Sequence, residues 1–295
     1  MKAAGLALLV AAAALAGNAA AAEPVTVRDA LGREVTVPSP PQRIVTIFSS
    51  NTELVASLGL ANRIVGIEAF TRFPPEVVGR PLVGGRLGFS VDAVVARDPD
   101  LVVVTPARQA ANQLVAPMER LGIPIVVLLH RTVPEIFSNI RLLAKLCGVV
   151  ERGEAVVAAL QARLDKVQAR IAGQKAPSVI MVTGRLGNGM MLIARPGTYT
   201  GDAILRAGGR FALESGTLAQ VSPEAILKAD PDVLLFAGSE KDMKELIQRP
   251  GWADMRAVRD KRAYVVARAE FLIPGPRTLD GIEKLATLLH PVATR

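Results

Sequence analysis

The segment from Ser90 to Val103 recurs without gaps from Ser222 to Leu235, and this internal repeat constrains the fold more than any other feature of the chain. Each copy opens on a serine, carries an acid two residues later (Asp92, Glu224), runs through a short aliphatic stretch, and reaches Asp-Pro-Asp before a final run of Leu and Val. Serine is a good helix N-cap, and an acid in the first turn meets the positive end of the helix dipole. The residue before proline is pushed out of the helical region, so the helix must stop at Asp98 or Asp230, and the aliphatic run that follows reads as a buried strand. Asp-Pro-Asp alone arises easily by chance, but a fourteen-residue correspondence does not. A weaker match pairs Glu53–Gly59 with Asp202–Gly208. Two copies of one helix–strand unit predict two lobes of like construction with a cleft between them.

The rest of the chain fits that plan. Residues 43–48, 64–67, 101–104 and 125–129 read as strands, with helices at 52–58 and 110–121. A second set of strands falls at 179–182, 233–236 and 263–266, with helices at 201–207, 223–229 and 278–289. Aliphatic strands without polar alternation, separated by helices, argue for parallel sheets covered on both faces. Between the halves, Thr132 and Glu135 form a capping-box start for a helix over 134–146. A second helix over 151–172 carries Val156, Val157, Leu160, Leu164, Val167 and Ile171 on one side, and at 1.5 Å per residue it is ~30 Å long, a stiff spine. The expected fold class is therefore α/β, with two Rossmann-like lobes of parallel sheet joined by one long helix. The expected divisions are residues 23–131, a helical connector over 132–173, and residues 174–295.

Residues 1–22 read as a secretory signal peptide. Met1 and Lys2 give a basic start, the apolar run is shorter than a bilayer span, and the alanines before Glu23 suit cleavage after Ala22. No cysteine lies near that site, so a lipid anchor is not expected. The single Cys147 lies in an apolar stretch and reads as a small buried hydrophobe. The net charge of +8 comes from scattered Lys and Arg. In an exported chain that pattern suits an anionic ligand or surface better than nucleic acid. No Gly-x-Ser-x-Gly elbow or dinucleotide loop is present, and two histidines are too few for a His-rich metal site, so no enzyme and no bound metal are expected.

At these residues the sequence resembles the helix-linked periplasmic binding proteins that serve ABC importers of iron-siderophores, haem and cobalamin. The similarity runs through Val27–Pro38, Pro41–Val45, Ser50–Gly59, Arg63–Gly66, Pro74–Glu76, Val83–Gly84, Asp98–Leu101 and Pro274–Gly281. Such proteins are periplasmic, work as monomers, hold no resident cofactor, and dock on a membrane permease through one acid on each lobe. The resemblance places that role on Asp92 and Glu224, which also have a plain reading as first-turn helix acids. It further implies that Phe70 matches one position of the aromatic lining of cobalamin-binding members, while Arg86, Thr105 and Thr183 fall where others stand. Gly85 occupies the place of the haem-ligating tyrosine, for which Tyr199 could substitute from the other lobe.

The loops carry arginine. Arg72, Arg86, Arg108, Arg185 and Arg268 all fall at or just past strand C-termini, where open α/β sheets present ligand groups. Guanidinium forks suit carboxylate, catecholate or phosphate oxygens. Ser50 and Asn51, with Ser49, end the first strand and read either as ligand hydrogen-bond partners or as a helix cap. His130 ends another strand and could face the cleft. These readings lead to a bulky anionic metal chelate as cargo, a ferric siderophore first, a corrinoid or haem as the alternative, and a non-transport sensor as the remaining one.

Overall fold

The computed structural model describes residues 23–85, 88–106, 109–213 and 220–291. The expected signal peptide, Arg86 and Arg108 lie outside them. The chain opens with a hairpin, β1 (Val25–Arg28) and β2 (Glu34–Val37). Asp29 closes its turn: the buried carboxylate accepts from the Leu31 and Arg33 amides and from the Val127 amide, tying the hairpin to the first lobe.

The first lobe follows as β3 (Ile44–Thr46), α1 (Ser49–Ser57), β4 (Ile64–Glu68), β5 (Leu82–Gly85), β6 (Gly88–Phe89), α2 (Val91–Val95), β7 (Leu101–Val104), α3 (Ala110–Arg120) and β8 (Ile125–Val127). Its sheet has the order β6-β5-β4-β3-β7-β8. The order reverses between β3 and β7, so a topological switch point opens at their carboxyl ends. Two helices, α4 (Val133–Leu146) and α5 (Val150–Ile171), then lead out of the lobe.

The second lobe comprises β9 (Ser178–Arg185), β10 (Met191–Ile193), α6 (Tyr199–Arg206), β11 (Arg210–Phe211), β12 (Gln220–Val221), α7 (Pro223–Ala229), β13 (Val233–Ala237), α8 (Glu240–Ile247), α9 (Arg256–Arg259), β14 (Ala263–Val266), α10 (Arg268–Phe271) and α11 (Thr278–Leu289). Its sheet runs β12-β10-β9-β13-β14, with β11 beside the start of β9.

The α/β class and the two lobes stand as expected, with one correction. Each sheet is parallel except toward one edge: β6 runs antiparallel to β5, and β10 is antiparallel to both β9 and β12. These strands are only two or three residues long, too short for a run that marks a strand in the sequence.

The repeat is structural. Ser90 Oγ accepts from the Ala93 amide and Ser222 Oγ from the Ala225 amide, capping α2 and α7. Asp98 and Asp230 both adopt left-handed φ, 47° and 39°, at the ends of those helices. Asp100 then accepts from the Gln42 and Arg43 amides, and Asp232 from the Ser178 amide. Each Asp-Pro-Asp therefore stops a helix and fastens the entry of its lobe's first strand.

The spine, α5, buries Gly153, Val157, Leu160, Leu164 and Val167. One continuous core joins Val157, Leu160, Leu164 and Val167 to Ile44 and Leu101 of the first sheet and to Val179 and Leu235 of the second. Separate cores lie behind each sheet, one under α3 around Leu114 and Met118, the other around Trp252 and Leu246. Among the described residues no helix is long and apolar enough to cross a membrane.

Candidate ligand-binding cleft

A cleft of about 1160 Å³ lies between the lobes. It exceeds the ~300–1,000 Å³ usual for small-molecule sites, so it suits a bulky ligand. The first lobe contributes residues just past β3, β4, β7 and β8, including Phe48, Phe70, Thr105 and His130. The second contributes the loop from β10 into α6, with Arg195 and Tyr199, and the stretch from Arg268 to Arg277. The cleft thus sits at the switch point that the strand order creates.

Its charge is predominantly positive. Arg72, Arg195 and Arg268 line it, and among the described residues none of the three has a carboxylate partner. The Arg72 guanidinium is oriented by the Ala69 and Thr71 carbonyls, and that of Arg268 by the Thr183 and Ala237 carbonyls. Arg131 differs, being bound to Glu135 at 2.6 Å. The aromatic component is substantial: Phe48, Phe70 and Phe73 all border the cleft, and Phe70 is 46% exposed. Phe48 bridges β3 and α1 at φ 75°, a conformation a bulky residue adopts only where its surroundings enforce it. Tyr199 begins α6, and burial raises the pKa of its phenol.

One end of the cleft is closed by an ion pair between lobes. Glu53, on α1, accepts from Arg277 Nε at 2.9 Å and from Nη2 at 2.5 Å, while the guanidinium carbon lies 4.2 Å from the Phe73 ring centroid. Burial pushes the Glu53 carboxyl pKa up; the Arg277 bonds pull it back, and burial wins. The repeat partner of Glu53 reaches across in the reverse sense: Asp202, on α6, accepts from the Val133 amide at the start of α4 at 2.8 Å.

The cleft floor holds a buried polar network. His130 Nε2 lies 2.9 Å from Asn51 Oδ1, and its Nδ1 lies 3.1 Å from Asn139 Nδ2. Burial lowers the His130 pKa to about 4, so the ring is neutral at ordinary pH. With both ring nitrogens engaged, His130 has no lone pair to offer a metal. Among the described residues no group of three or more His, Cys, Asp or Glu could hold a metal ion.

Residues 44–269 match the family model described as periplasmic binding protein. The chain belongs to the periplasmic binding protein family. A relative in Bacillus subtilis, the uncharacterized ABC transporter substrate-binding lipoprotein YvrC, is 27% identical over 91% of this chain and 86% of its own length. The vitamin B12-binding protein of Vibrio cholerae is 24% identical over 85% of this chain and 90% of its own. Among solved structures, a periplasmic heme binding protein from Pseudomonas aeruginosa superposes with a TM-score of 0.74 at 28% identity, covering 86% of this chain and 94% of that one. This periplasmic binding protein is a substrate-binding component of ABC transport, not an enzyme.

Of the residues expected at the site, Ser50, Phe70, Arg72, Tyr199 and Arg268 line the cleft together. Two do not. Asn51 is fully buried in the first turn of α1, and its amide is consumed by Ile47 O, Thr105 Oγ1 and His130. Arg185 is carried away because β9 runs on past Thr183 into a hairpin with β10, which leaves its guanidinium 3.2 Å from Asp242 on α8. Arg86 and Arg108 fall outside the described residues. Asp92 and Glu224 are exposed in the first turns of α2 and α7. Sequence reasoning missed Arg195, Phe48, Phe73 and Arg277. Arg195-Pro-Gly carries a turn signal that could have flagged the first, whereas nothing local marks Arg277 as a partner for Glu53. The resemblance marks only Phe70 as an aromatic of the lining, and Phe48 and Phe73 border the cleft beside it.

Proposed function

We propose that this periplasmic binding protein captures a bulky metal-centred macrocycle, a corrinoid, and hands it to the permease of an ABC importer. The observation that carries this reading is the pairing of an apolar wall, Phe48, Phe70 and Phe73, with Arg72, Arg195 and Arg268, which have no carboxylate partner among the described residues, in a cleft of about 1160 Å³. A flat ring system packs on aromatic faces, and amide or phosphate oxygens at its edge take the guanidinium donors. The name of the Vibrio cholerae relative supports the same class. The metal arrives inside the cargo and needs no protein ligand.

A second reading, an anionic ferric siderophore, is favoured by Arg72, Arg195 and Arg268 themselves. Haem is the weaker choice: Gly85 offers no side chain, and an added Cβ there would lie 3.1 Å from that of Ala69, leaving Tyr199 as the one tyrosine on the cleft.

Titration of the mature protein with cyanocobalamin, haemin and a ferric tris-catecholate, at low and high salt, tests the assignment. The corrinoid reading expects tight cyanocobalamin binding with little salt dependence. Binding of the ferric chelate alone, weakening with salt because partly exposed charges are screened, would promote the second reading.

The proposed setting is the periplasm, with the protein acting as a monomer after loss of residues 1–22. Residues 23–131 and 174–295 would form the lobes, and 132–173 the connector. Asp92 and Glu224 are proposed as the acids that meet the permease. Their support is equivalence in the repeat, exposure, and identical placement on serine-capped helices.

A further inference from the structure

The polar network under the cleft has only one consistent arrangement of hydrogens. Asn139 Nδ2 lies 2.6 Å from the Leu129 carbonyl oxygen, which can only accept, so the nitrogen end of that amide is fixed. The same nitrogen faces His130 Nδ1 at 3.1 Å, so Nδ1 carries no proton and accepts. The neutral ring must then carry its proton on Nε2 and donate to Asn51 Oδ1 at 2.9 Å. The Asn51 amide is fixed independently from its other end: Nδ2 lies 2.6 Å from the Ile47 carbonyl oxygen. Nδ2 also faces Thr105 Oγ1 at 3.1 Å. Thr105 therefore accepts on the network side, and its own hydroxyl hydrogen is left to point elsewhere. Thr105 is half-buried and lines the cleft just past the end of β7.

We propose that Asn139, His130 and Asn51 form a polarised relay that presents the Thr105 hydroxyl to the cleft as a donor, making Thr105 a specificity-determining residue for a carbonyl, amide or carboxylate oxygen of the cargo. Two backbone carbonyls pin the relay at its two amides, so it cannot reverse without placing oxygen against oxygen. A threonine on an open strand end could turn its hydroxyl hydrogen back onto the protein; here the Asn51 amide already occupies one lone pair of Oγ1 and offers nothing to accept from it, which leaves the hydroxyl hydrogen for the cleft. The inference rests on the cleft being the ligand site but not on which macrocycle or chelate occupies it. His130 acts through its neighbours and is a positioning residue.

Two measurements on the mature protein separate the relay from the choice of cargo. Long-range proton–nitrogen correlation of ¹⁵N-histidine protein at neutral pH reads the ring directly, and with two histidines in the chain the signals are assignable. The expected result is a protonated Nε2 and a bare Nδ1 for His130. A proton on Nδ1, or on both nitrogens, overturns the relay. Cyanocobalamin, haemin and the ferric tris-catecholate are then titrated into wild type, Thr105→Val and Thr105→Ser. For any probe the wild type binds, Thr105→Val is expected to weaken affinity roughly threefold to tenfold, the value of one neutral hydrogen bond, and Thr105→Ser to restore it. Equal affinity of Thr105→Val and wild type overturns the proposal. If no probe binds wild type, the cargo assignment fails, and the ring tautomer alone decides the relay.

Discussion

A histidine that stays neutral has a thermodynamic consequence at the scale of the residue. The unfolded chain protonates His130 near its ordinary pKa of 6.5, whereas the folded protein resists until about 4, because burial penalises the charged ring more than Glu135 favours it. Between those values the unfolded state holds the extra proton, so acid favours unfolding. The full contribution is present above pH 6.5 and is lost as pH falls toward 4, and its size is about 3 kcal/mol at most. Urea unfolding of wild type and His130→Gln across that window should show a steeper fall for wild type; parallel curves would mean that water reaches the ring. Glu53 and Arg277 form a second test. Glu53 is 3% exposed, so Arg277→Met should strand a buried carboxylate and cost about 3–5 kcal/mol, while Glu53→Met with Arg277→Met should recover most of it. A double-mutant cycle by chemical denaturation measures both, and a single-variant cost under about 1 kcal/mol would place the pair among surface ion pairs. The sequence revealed the cleft in part. Ser50, Arg72 and Arg268 line the cleft because strand ends locate an α/β site, whereas Phe70 and Tyr199 are marked only by the family resemblance. Asn51 and Arg185 do not line the cleft, because position on an element does not say whether neighbours consume a side chain's hydrogen bonds. Arg277 and Glu53 meet only through the docking of two lobes, which no local pattern encodes.

At the scale of the element, close helix contact leaves its mark in a glycine. An added Cβ on Gly153 of α5 would lie 2.3 Å from the Ala144 Cβ of α4. Gly153→Ala should therefore push the spine off α4 and cost about 1–3 kcal/mol despite alanine's better helix propensity. Ala144→Gly in the same chain should recover part of that loss. Thermal denaturation of the single and double variants measures this, and a stabilised Gly153→Ala would show that the helices part freely. The long elements were legible because periodicity and capping agreed: the spine was expected over 151–172 and runs Val150–Ile171, and Thr132 caps α4 through the Glu135 amide. The capping box itself is shifted by one residue, since the Glu135 carboxylate takes the Arg131 amide at 2.6 Å. The short edge strands β6, β11 and β12 and the helices α8 to α10 were not legible. They contain too few buried residues to impose a period, and their positions follow from the sheets already formed beside them.

At the scale of the whole molecule, the repeat governs both what holds the lobes together and what they show to a partner. Glu53 and Asp202 occupy matching places on α1 and α6, and each reaches out of its own lobe to the N-terminal end of a helix, α11 by way of Arg277 and the connector helix α4 by way of the Val133 amide. With the spine, these contacts restrain the lobes from moving apart, and the proposed docking reads features present on both lobes. Asp92 and Glu224 are such features. The Glu224 carboxyl is held below its usual range, first by the Ser222 hydroxyl and then by its own amide, so it carries full charge at neutral pH. Exposed first-turn acids add little to their helices, so reversing them is expected to leave the fold intact. Asp92→Arg combined with Glu224→Arg is therefore expected to abolish uptake into cells or permease-containing vesicles while affinity for the cargo in solution stays unchanged. Each single reversal should leave partial uptake, since the other lobe still docks. Loss of affinity in the double variant would assign these acids to the cleft or the fold, and full uptake would remove them from the permease interface altogether.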